Sequence, residues 1–291
     1  MKMRGRHLAA RPPVRHGLQR YSGGSPIAAH RPVPPPYASV VLHAEVEGKG
    51  SRVVLVHGFT QTGASWGPIA AALARHHRVV RVDAPGHGRS SEVRADLWEG
   101  GRLLGDVGGR AAYVGYSMGG RLALHLALQR PELVTRLVLL GATGGIADAA
   151  ERAVRRAADE NLAHLLEDAG VEAFLDRWLA LPLFAGLPSD AAGLEQRLTN
   201  TADGLASSLR LTGTGTQEPL WGRLGELGRS GIPVLVVAGA LDDKFRDLGE
   251  VLVEAIGPTA SLELVDDAGH AAHLERPDLF LDIVEPFLRE G

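Results

Sequence analysis

A Gly-x-Ser-x-Gly turn between a buried strand and a buried helix constrains this sequence more than any other feature. The pentapeptide is GYSMG at residues 115–119, with an apolar run at residues 111–114 before it and an apolar-rich segment at residues 122–129 after it. Strand and helix backbones approach closely at such a turn, so only glycine fits at its first and last positions. The pattern predicts a sharp elbow that lifts the Ser117 hydroxyl clear of the sheet, beside the unpaired N–H groups of a helix N-terminus.

The rest of the chain alternates apolar strand patterns with amphipathic helix patterns, which predicts an α/β fold with a mostly parallel sheet. Seven strands are expected, at residues 40–46, 52–57, 78–82, 111–114, 136–140, 233–238 and 261–265. The alternation stops between residues 146 and 216, where only helical patterns occur. The predicted division is therefore an α/β core at residues 38–145 and 217–291, with a helical insertion at residues 146–216.

The first 37 residues differ in composition from the rest of the chain. They are rich in proline, and seven basic residues but no acidic residue precede Glu45. We predict that residues 1–37 are disordered. Their composition resembles that of a transit peptide, and the segment lacks the continuous apolar run of a secretory signal. The chain has no cysteine, which excludes disulfides and thiolate metal sites and suits a reducing compartment. No apolar run reaches membrane-spanning length, so we expect a cytoplasmic protein without a membrane span.

Three residues that follow predicted strands form the predicted catalytic group. A serine becomes a nucleophile or a base only when an imidazole takes its proton and a carboxylate orients that imidazole. In α/β-hydrolases these residues follow the chain order serine, acid, histidine, and the carboxyl ends of parallel strands meet at one edge of the sheet. This order selects Ser117, Asp242 and His270, with Asp243 as the alternative acid.

Two backbone N–H groups are predicted to form an oxyanion hole. One belongs to Met118, directly after the serine, and the other to Phe59, in the turn after the second strand. His57 opens that turn and His87 lies in the loop after the third strand, and we interpret both as structural. His273 is a weaker site candidate. No phosphate-binding loop, dinucleotide motif or metal-ligand spacing is visible, so we expect no cofactor and no metal.

Several segments together resemble the 2-succinyl-6-hydroxy-2,4-cyclohexadiene-1-carboxylate synthase (MenH) family of menaquinone biosynthesis. They are GYSMGGR at 115–121, GALDDKF at 239–245, AGH at 268–270, WLALPLF at 178–184 and SSLRLTGTGTQ at 207–217. The resemblance covers about residues 40–289 and implies an α/β-hydrolase fold in which residues 146–216 form a cap over the nucleophile. It also implies a lyase that eliminates pyruvate from 2-succinyl-5-enolpyruvyl-6-hydroxy-3-cyclohexene-1-carboxylate, with the triad as base and without an acyl-enzyme.

The substrate that the resemblance implies carries several carboxylates, and fixed arginines are the side chains best suited to grip them. Arg121 stands on the elbow helix where lipase-like enzymes commonly have an apolar or small residue. In the first cap helix, Arg155 matches the family's cap arginine best, whereas Arg152 and Arg156 fit a solvated face equally well. Arg197 matches a second cap arginine. The aromatic walls are assigned to Tyr116, Trp178 and Phe184.

The triad alone leaves other functions open. The same residues with an added water would hydrolyse a carboxylic ester or a carbon–carbon bond, and with peroxide they would act as a cofactor-free perhydrolase. A ligand receptor needs the pocket but not the base, so the complete triad favours an enzyme. Lys244 is interpreted as a support for the loop that carries the acid. We expect a small polycarboxylate substrate, no nucleic-acid partner, and a monomer or small homo-oligomer.

Overall fold

The computed structural model describes residues 40–289, so the extension predicted at residues 1–37 lies outside the described residues. The strands are β1 (Ala44–Glu47), β2 (Ser51–Val56), β3 (His77–Val82), β4 (Ala111–Tyr116), β5 (Val134–Leu140), β6 (Val234–Gly239) and β7 (Ala260–Val265). They form one sheet in the order β1-β3-β2-β4-β5-β6-β7. Only β1 pairs antiparallel within these residues, and the other pairs are parallel. The predicted α/β fold with a mostly parallel sheet is confirmed.

Helices flank this sheet on both faces. In chain order they are α1 (Gly67–Leu73), α2 (Leu97–Gly108), α3 (Met118–Gln129), α4 (Ala149–Leu179), α5 (Leu194–Arg197), α6 (Ala202–Thr212), α7 (Gly225–Ser230), α8 (Asp243–Ile256), α9 (Ala272–Glu275) and α10 (Pro277–Arg289). None of those within residues 40–289 combines the length and apolar composition that crossing a lipid bilayer requires.

Alternate residues of the central strands pack on opposite faces of the sheet, as the geometry of a strand dictates. On β2, Val54 and Val56 join the apolar cluster formed with α2, α3 and α8. Val53 and Leu55 join the cluster formed with α1 and α10 on the other face. A strand buried on both faces must be apolar at nearly every position, which explains why the strands are continuous apolar runs in the sequence.

The described residues between β5 and β6 contain helices and no strand, as the helical pattern predicts. Here α4 packs against α6 through a separate apolar cluster that includes Ala163, Phe174 and Leu205. Helix α4 is kinked at Gly170, whose φ of 80° lies in the left-handed region that favours glycine. The kink divides α4 into a first half at residues 149–169 and a second half at residues 171–179.

Two elements are shorter than the sequence pattern predicts. Residues 190–200 have a helical pattern in the sequence but form only α5, because Gly193 directly before it adopts a left-handed φ of 66°. The strand expected from residue 40 begins only at Ala44, because its antiparallel partner β3 ends at Val82, opposite Ala44.

The elbow between β4 and α3 depends on close backbone contact. Ser117 adopts a strained φ of 50° and ψ of −106°, and its N–H donates to the Leu140 carbonyl oxygen at 2.8 Å. A Cβ atom at Gly115 would lie 2.5 Å from the carbonyl oxygen of Gly119, and one at Gly119 would lie 2.1 Å from that of Val56. Only glycine therefore fits at these two positions, as the sequence motif predicts.

We expect Gly119→Ala to lower the free energy of unfolding by about 3 kcal/mol or more, because the added methyl group overlaps rigid backbone at the end of β2. Gly222→Ala is the matched control, since no atom lies within 4 Å of its Cβ position. Urea unfolding followed by circular dichroism measures both variants. Equal stability of the two variants would contradict the close contact at the elbow.

Candidate active site

Ser117, His270 and Asp242 lie at the carboxyl ends of β4, β7 and β6 and are within hydrogen-bonding distance of one another. His270 Nδ1 is 2.8 Å from Asp242 Oδ2, and His270 Nε2 is 3.3 Å from Ser117 Oγ. Because the carboxylate accepts a hydrogen bond from Nδ1–H, Nε2 is left unprotonated as the acceptor for the serine proton. The structure thus brings together three residues that chain order alone selects.

The acid is held by the helix that it begins. Asp242 is the N-cap of α8, and its Oδ1 accepts the N–H of Phe245 at 3.3 Å. Asp243, the alternative acid, has an exposed carboxylate that pairs with Arg246 at 3.0 Å. The carboxylate that contacts His270 is therefore that of Asp242.

The His270 ring is fixed by packing and by a clamp on its backbone. The Phe245 ring lies 4.4 Å from the imidazole and the Tyr116 ring 5.3 Å from it, measured between centroids. The Glu275 carboxylate accepts the N–H groups of Gly269 at 2.7 Å and Ala271 at 3.0 Å, one on each side of His270. Sequence reasoning missed Glu275, because an acid five positions after a histidine does not itself indicate this contact.

The two residues predicted to supply the oxyanion donors line the same cavity as Ser117. Phe59 and Met118 both line it, and within residues 40–289 neither backbone N–H donates to a protein acceptor. Their unpaired donors are what a negatively charged oxygen next to Ser117 would need.

His57 and His87 support the loop that carries Phe59. His57 Nε2 accepts the Ala84 N–H at 3.0 Å, and His87 Nε2 accepts the Thr60 N–H at 3.3 Å. Burial lowers the pKa of His57 to about 4 and that of His87 to about 3, so both rings are neutral acceptors at neutral pH. This agrees with their interpretation as structural residues.

The cavity above Ser117 is lined by cationic and aromatic side chains. All six predicted substrate contacts line it: Tyr116, Arg121, Arg155, Trp178, Phe184 and Arg197. Within the part of the chain that the structure describes, no acidic side chain lines this cavity, whereas Asp148 and Glu151 line an adjoining cavity that shares Ser117, Arg121 and Arg155 with it. Residues 40–289 also contain no group of three or more side chains suited to hold a metal ion.

Two of these arginines are buried without a carboxylate partner among residues 40–289. Arg121 donates to the Thr212 carbonyl oxygen, and Arg197 donates to the Thr60 hydroxyl and to the Ala192 carbonyl oxygen. Burial lowers the pKa of each guanidinium to about 10, so both remain charged at neutral pH. Their charge is therefore available to an anion that enters the cavity.

The structure separates the three arginines of the first half of α4. Arg155 lines the cavity, and its Nε donates to the buried Asp159 carboxylate at 2.7 Å. Arg152 donates to backbone carbonyl groups before α4, and Arg156 donates to the Gly215 carbonyl oxygen at 3.3 Å. Of the three, only Arg155 lines this cavity.

Some lining residues were not predicted from the sequence. Lys244, interpreted from the sequence as a loop support, also lines the cavity beside Phe245, with its Nζ 5.7 Å from the centre of that ring. Ser208 and Thr212 on α6 line it as well. Lys244 lies two residues after the acid, within the GALDDKF segment at 239–245.

Known proteins that resemble this chain place the site in a family. A model of the alpha/beta hydrolase family matches residues 53–283. The chain belongs to the alpha/beta hydrolase family. This membership agrees with the sheet order, with the strained serine at the β4–α3 elbow, and with the positions of Asp242 and His270.

Individual alpha/beta hydrolases extend this finding. A proposed 2-succinyl-6-hydroxy-2,4-cyclohexadiene-1-carboxylate synthase of Bacillus subtilis is 35% identical over 250 residues, which cover 81% of this chain and 89% of that protein. The solved structure of MenH from S. aureus has a TM-score of 0.78 at 30% identity and covers 85% of this chain and 98% of that one. The resemblance to the MenH family is thereby confirmed. A pimeloyl-[acyl-carrier protein] methyl ester esterase of Vibrio atlanticus is 30% identical over 87% of this chain and 100% of its own.

His273 lies behind the site of this alpha/beta hydrolase and does not line the cavity above Ser117. Its ring is buried between Trp66 at 4.5 Å and Tyr116 at 4.4 Å, and neither ring nitrogen has a hydrogen-bond partner among the described residues. Burial, and then the nearby His270, lowers the pKa of His273 to about 3. Its role is therefore to pack against Tyr116 as a neutral ring.

The lowered pKa of His273 predicts acid sensitivity. Above about pH 6.5 the ring is neutral in both the folded and the unfolded chain and has no effect. Between about pH 6.5 and pH 3 only the unfolded chain binds the proton, so this residue destabilises the fold as the pH falls. We expect His273→Phe to gain about 2 kcal/mol of unfolding free energy at about pH 5, relative to its effect at about pH 8.

Urea unfolding at the two pH values measures this difference. His76→Phe, which replaces an exposed histidine, serves as the control and should show no comparable dependence on pH. A His273→Phe variant with the same pH dependence as the wild-type chain would show that the buried ring takes up no proton on unfolding.

Proposed function

We propose that this chain eliminates pyruvate from 2-succinyl-5-enolpyruvyl-6-hydroxy-3-cyclohexene-1-carboxylate to give 2-succinyl-6-hydroxy-2,4-cyclohexadiene-1-carboxylate. One observation carries the proposal: Ser117 and His270, which are hydrogen-bonded in a chain with Asp242, line a cavity together with two buried arginines that lack an acidic partner among the described residues. The relatives that bear the name of this synthase support the same reaction.

The reaction needs a base and a place for negative charge. The C2–H bond of the ring lies next to the succinyl carbonyl group, which makes this proton acidic. When it leaves, the electron pair forms a double bond at C2–C3, and the C3–C4 double bond shifts to C4–C5 as the C5–O bond breaks. Pyruvate departs as its enolate. The proton that the base removed returns to the enolate carbon, so that the reaction consumes neither water nor an oxidant.

Ser117, His270 and Asp242 supply the base in this scheme. His270 Nε2 takes the Ser117 proton while Ser117 Oγ removes the C2 proton, and Asp242 stabilises the imidazolium that forms. The N–H groups of Phe59 and Met118 are the proposed donors to the succinyl carbonyl oxygen as it gains negative charge. No covalent intermediate on the serine is required.

The charge of the substrate matches the proposed pocket. The substrate carries three carboxylates, on the ring, on the succinyl arm and on the enolpyruvyl group. Arg121, Arg155 and Arg197 are the proposed partners, since guanidinium groups bind carboxylates with two parallel hydrogen bonds. Tyr116, Trp178 and Phe184 would pack against the ring. In this proposal residues 146–216 act as a cap that selects the substrate, on a core of residues 38–145 and 217–291.

A hydrolase is the second candidate. The esterase of Vibrio atlanticus that resembles this chain supports hydrolysis of a carboxylic ester, and the same three residues would then act on a carbonyl carbon with water as the second substrate. The two reactions differ in their need for cations, because a neutral ester gives the three arginines no carboxylate to bind. The cytoplasmic location and the monomeric or small homo-oligomeric state remain predictions.

Substituting a residue of the triad should lower turnover strongly while the chain remains folded. We expect Ser117→Ala to lower kcat for pyruvate release by about 10³-fold or more, and Asp242→Asn to lower it by about 10⁴-fold. Asp243→Asn is the matched control and should retain wild-type turnover, because its carboxylate pairs with Arg246 instead of His270. Pyruvate is measured with lactate dehydrogenase and NADH, with substrate made enzymatically from isochorismate and 2-oxoglutarate. Near-normal turnover by Ser117→Ala would refute the role of the serine.

Removing an arginine should weaken the reaction of the anionic substrate selectively. We expect Arg121→Ala and Arg155→Ala each to lower kcat/KM for pyruvate release by about 10- to 100-fold, since a substrate carboxylate then lacks its partner. Arg152→Ala, in the same helix as Arg155 but turned to backbone carbonyl groups, should change kcat/KM less than about twofold.

Hydrolysis of a neutral p-nitrophenyl ester by the same variants distinguishes the two candidate functions. An ester hydrolase would keep its activity in the arginine variants and would release no pyruvate. A lyase would release pyruvate and depend on these arginines.

A further inference from the structure

Thr60 is a strained residue next to the proposed oxyanion donor Phe59. Its φ of 68° lies in the left-handed region, which a β-branched residue rarely adopts. Thr60 is also fully buried, so its polar groups depend on hydrogen bonds within the protein. Such a conformation persists only where the surrounding structure holds it.

Each polar group of Thr60 is bound by a residue distant in sequence. Its N–H donates to His87 Nε2 at 3.3 Å. Its carbonyl oxygen accepts from Asn200 Nδ2 at 2.8 Å. Its hydroxyl oxygen accepts from the Arg197 guanidinium. Two of these three partners belong to the helical insertion at residues 146–216.

Asn200 joins the insertion to two loops of the core. Its Oδ1 accepts the N–H of Gly88 at 2.8 Å, in the loop after β3, while its Nδ2 donates to Thr60 in the loop after β2 and to the Arg197 carbonyl oxygen at 2.9 Å. The side chain is buried, and it does not line the cavity above Ser117. Its hydrogen bonds therefore act on the loop conformation and not directly on a ligand.

We propose that Asn200 is a positioning residue for the oxyanion hole: it holds Thr60 in the left-handed conformation and thereby fixes the Phe59 N–H beside Ser117. This inference rests on the proposed function of Ser117 and of the Phe59 N–H. The Gly58 side of Phe59 is held separately. The Gly58 carbonyl oxygen, in the same peptide group as the Phe59 N–H, accepts from His57 Nδ1 at 2.8 Å and from the Gln61 N–H at 3.2 Å, and the Gly58 N–H donates to Gln61 Oε1 at 3.0 Å. Thr60 fixes the other side of Phe59, where a change of backbone conformation would shift the donor.

One consequence is that the insertion contributes to the rate of the reaction as well as to binding. Arg197 lines the cavity and bonds the Thr60 hydroxyl, so the same helical segment contacts the ligand and supports the oxyanion loop. A substitution of Asn200 should then lower kcat. The hydrogen bonds between the arginines and the substrate are kept, so KM should stay nearly the same.

The test compares the full-length wild-type chain with Asn200→Ala, Thr60→Gly and the double variant, with Thr199→Ala as control. Glycine adopts a positive φ without steric cost, so the loop of Thr60→Gly needs less support from Asn200. We expect Asn200→Ala to lower kcat at least tenfold with KM changed less than about threefold, since loss of one oxyanion donor costs about 10²–10³-fold. In the Thr60→Gly background, the same substitution should lower kcat less than about threefold.

The control is Thr199→Ala. Thr199 is exposed and its hydroxyl donates only to the nearby Gln196 carbonyl oxygen, so this substitution should leave kcat unchanged.

Two results would overturn the proposal. One is an unchanged kcat in Asn200→Ala, and the other is an equal loss of kcat in both backgrounds, which would show that Asn200 does not act through Thr60. If Asn200→Ala does not fold, Asn200→Asp replaces it, because aspartate still accepts from Gly88 but cannot donate to Thr60. The loss of kcat that the Asn200 substitution causes in each background is measured in the reaction that the wild-type chain catalyses, whether pyruvate release or ester hydrolysis. The wild-type reaction tests the proposed function, and the comparison of the two losses tests the role of Asn200. A wild-type chain that catalyses neither reaction would refute both proposals.

Discussion

The close contact between the start of α3 and the ends of β2 and β4 is the constraint on which the rest of the site depends. It leaves no room for side chains at Gly115 and Gly119, and it forces Ser117 into a strained turn at the edge where the parallel strands end. Because β6 and β7 end at the same edge, Asp242 and His270 reach the serine from loops far apart in the sequence. The apolar packing of α3 against the sheet holds this strain.

The charge distribution of the site is the second organising feature. Buried cations without counter-charges destabilise a fold unless hydrogen bonds satisfy them, and one backbone carbonyl group does this in part for each of Arg121 and Arg197. Arg155 differs, because its Nε donates to the Asp159 carboxylate, while its outer guanidinium nitrogens make no hydrogen bond among the described residues. Such a pocket favours an anion over a neutral molecule, since only an anion supplies the missing acceptors.

The sequence was sufficient for the fold and for the residues whose positions follow from topology. Ser117, Asp242 and His270 could be chosen because a parallel sheet brings strand ends together whatever the loops do. The arginines were harder: helical spacing puts Arg152, Arg155 and Arg156 near one another, and only the resemblance to the MenH family favoured Arg155, which is the one that lines the cavity. Thr60, Asn200 and Glu275 were not predicted at all. Their contacts depend on loop conformations, which local sequence patterns encode weakly.

The kink at Gly170 separates two kinds of side chain along one helix. The first half of α4 carries Arg155, a cation that lines the cavity above Ser117, and the second half carries Phe174 and Trp178, which stack on each other beside Phe59. Under the proposed function, substitutions at residues 171–179 would alter the aromatic contacts with the substrate ring and leave the carboxylate contact of Arg155 in place. The interrupted helix thus allows charge recognition and shape recognition to be varied separately.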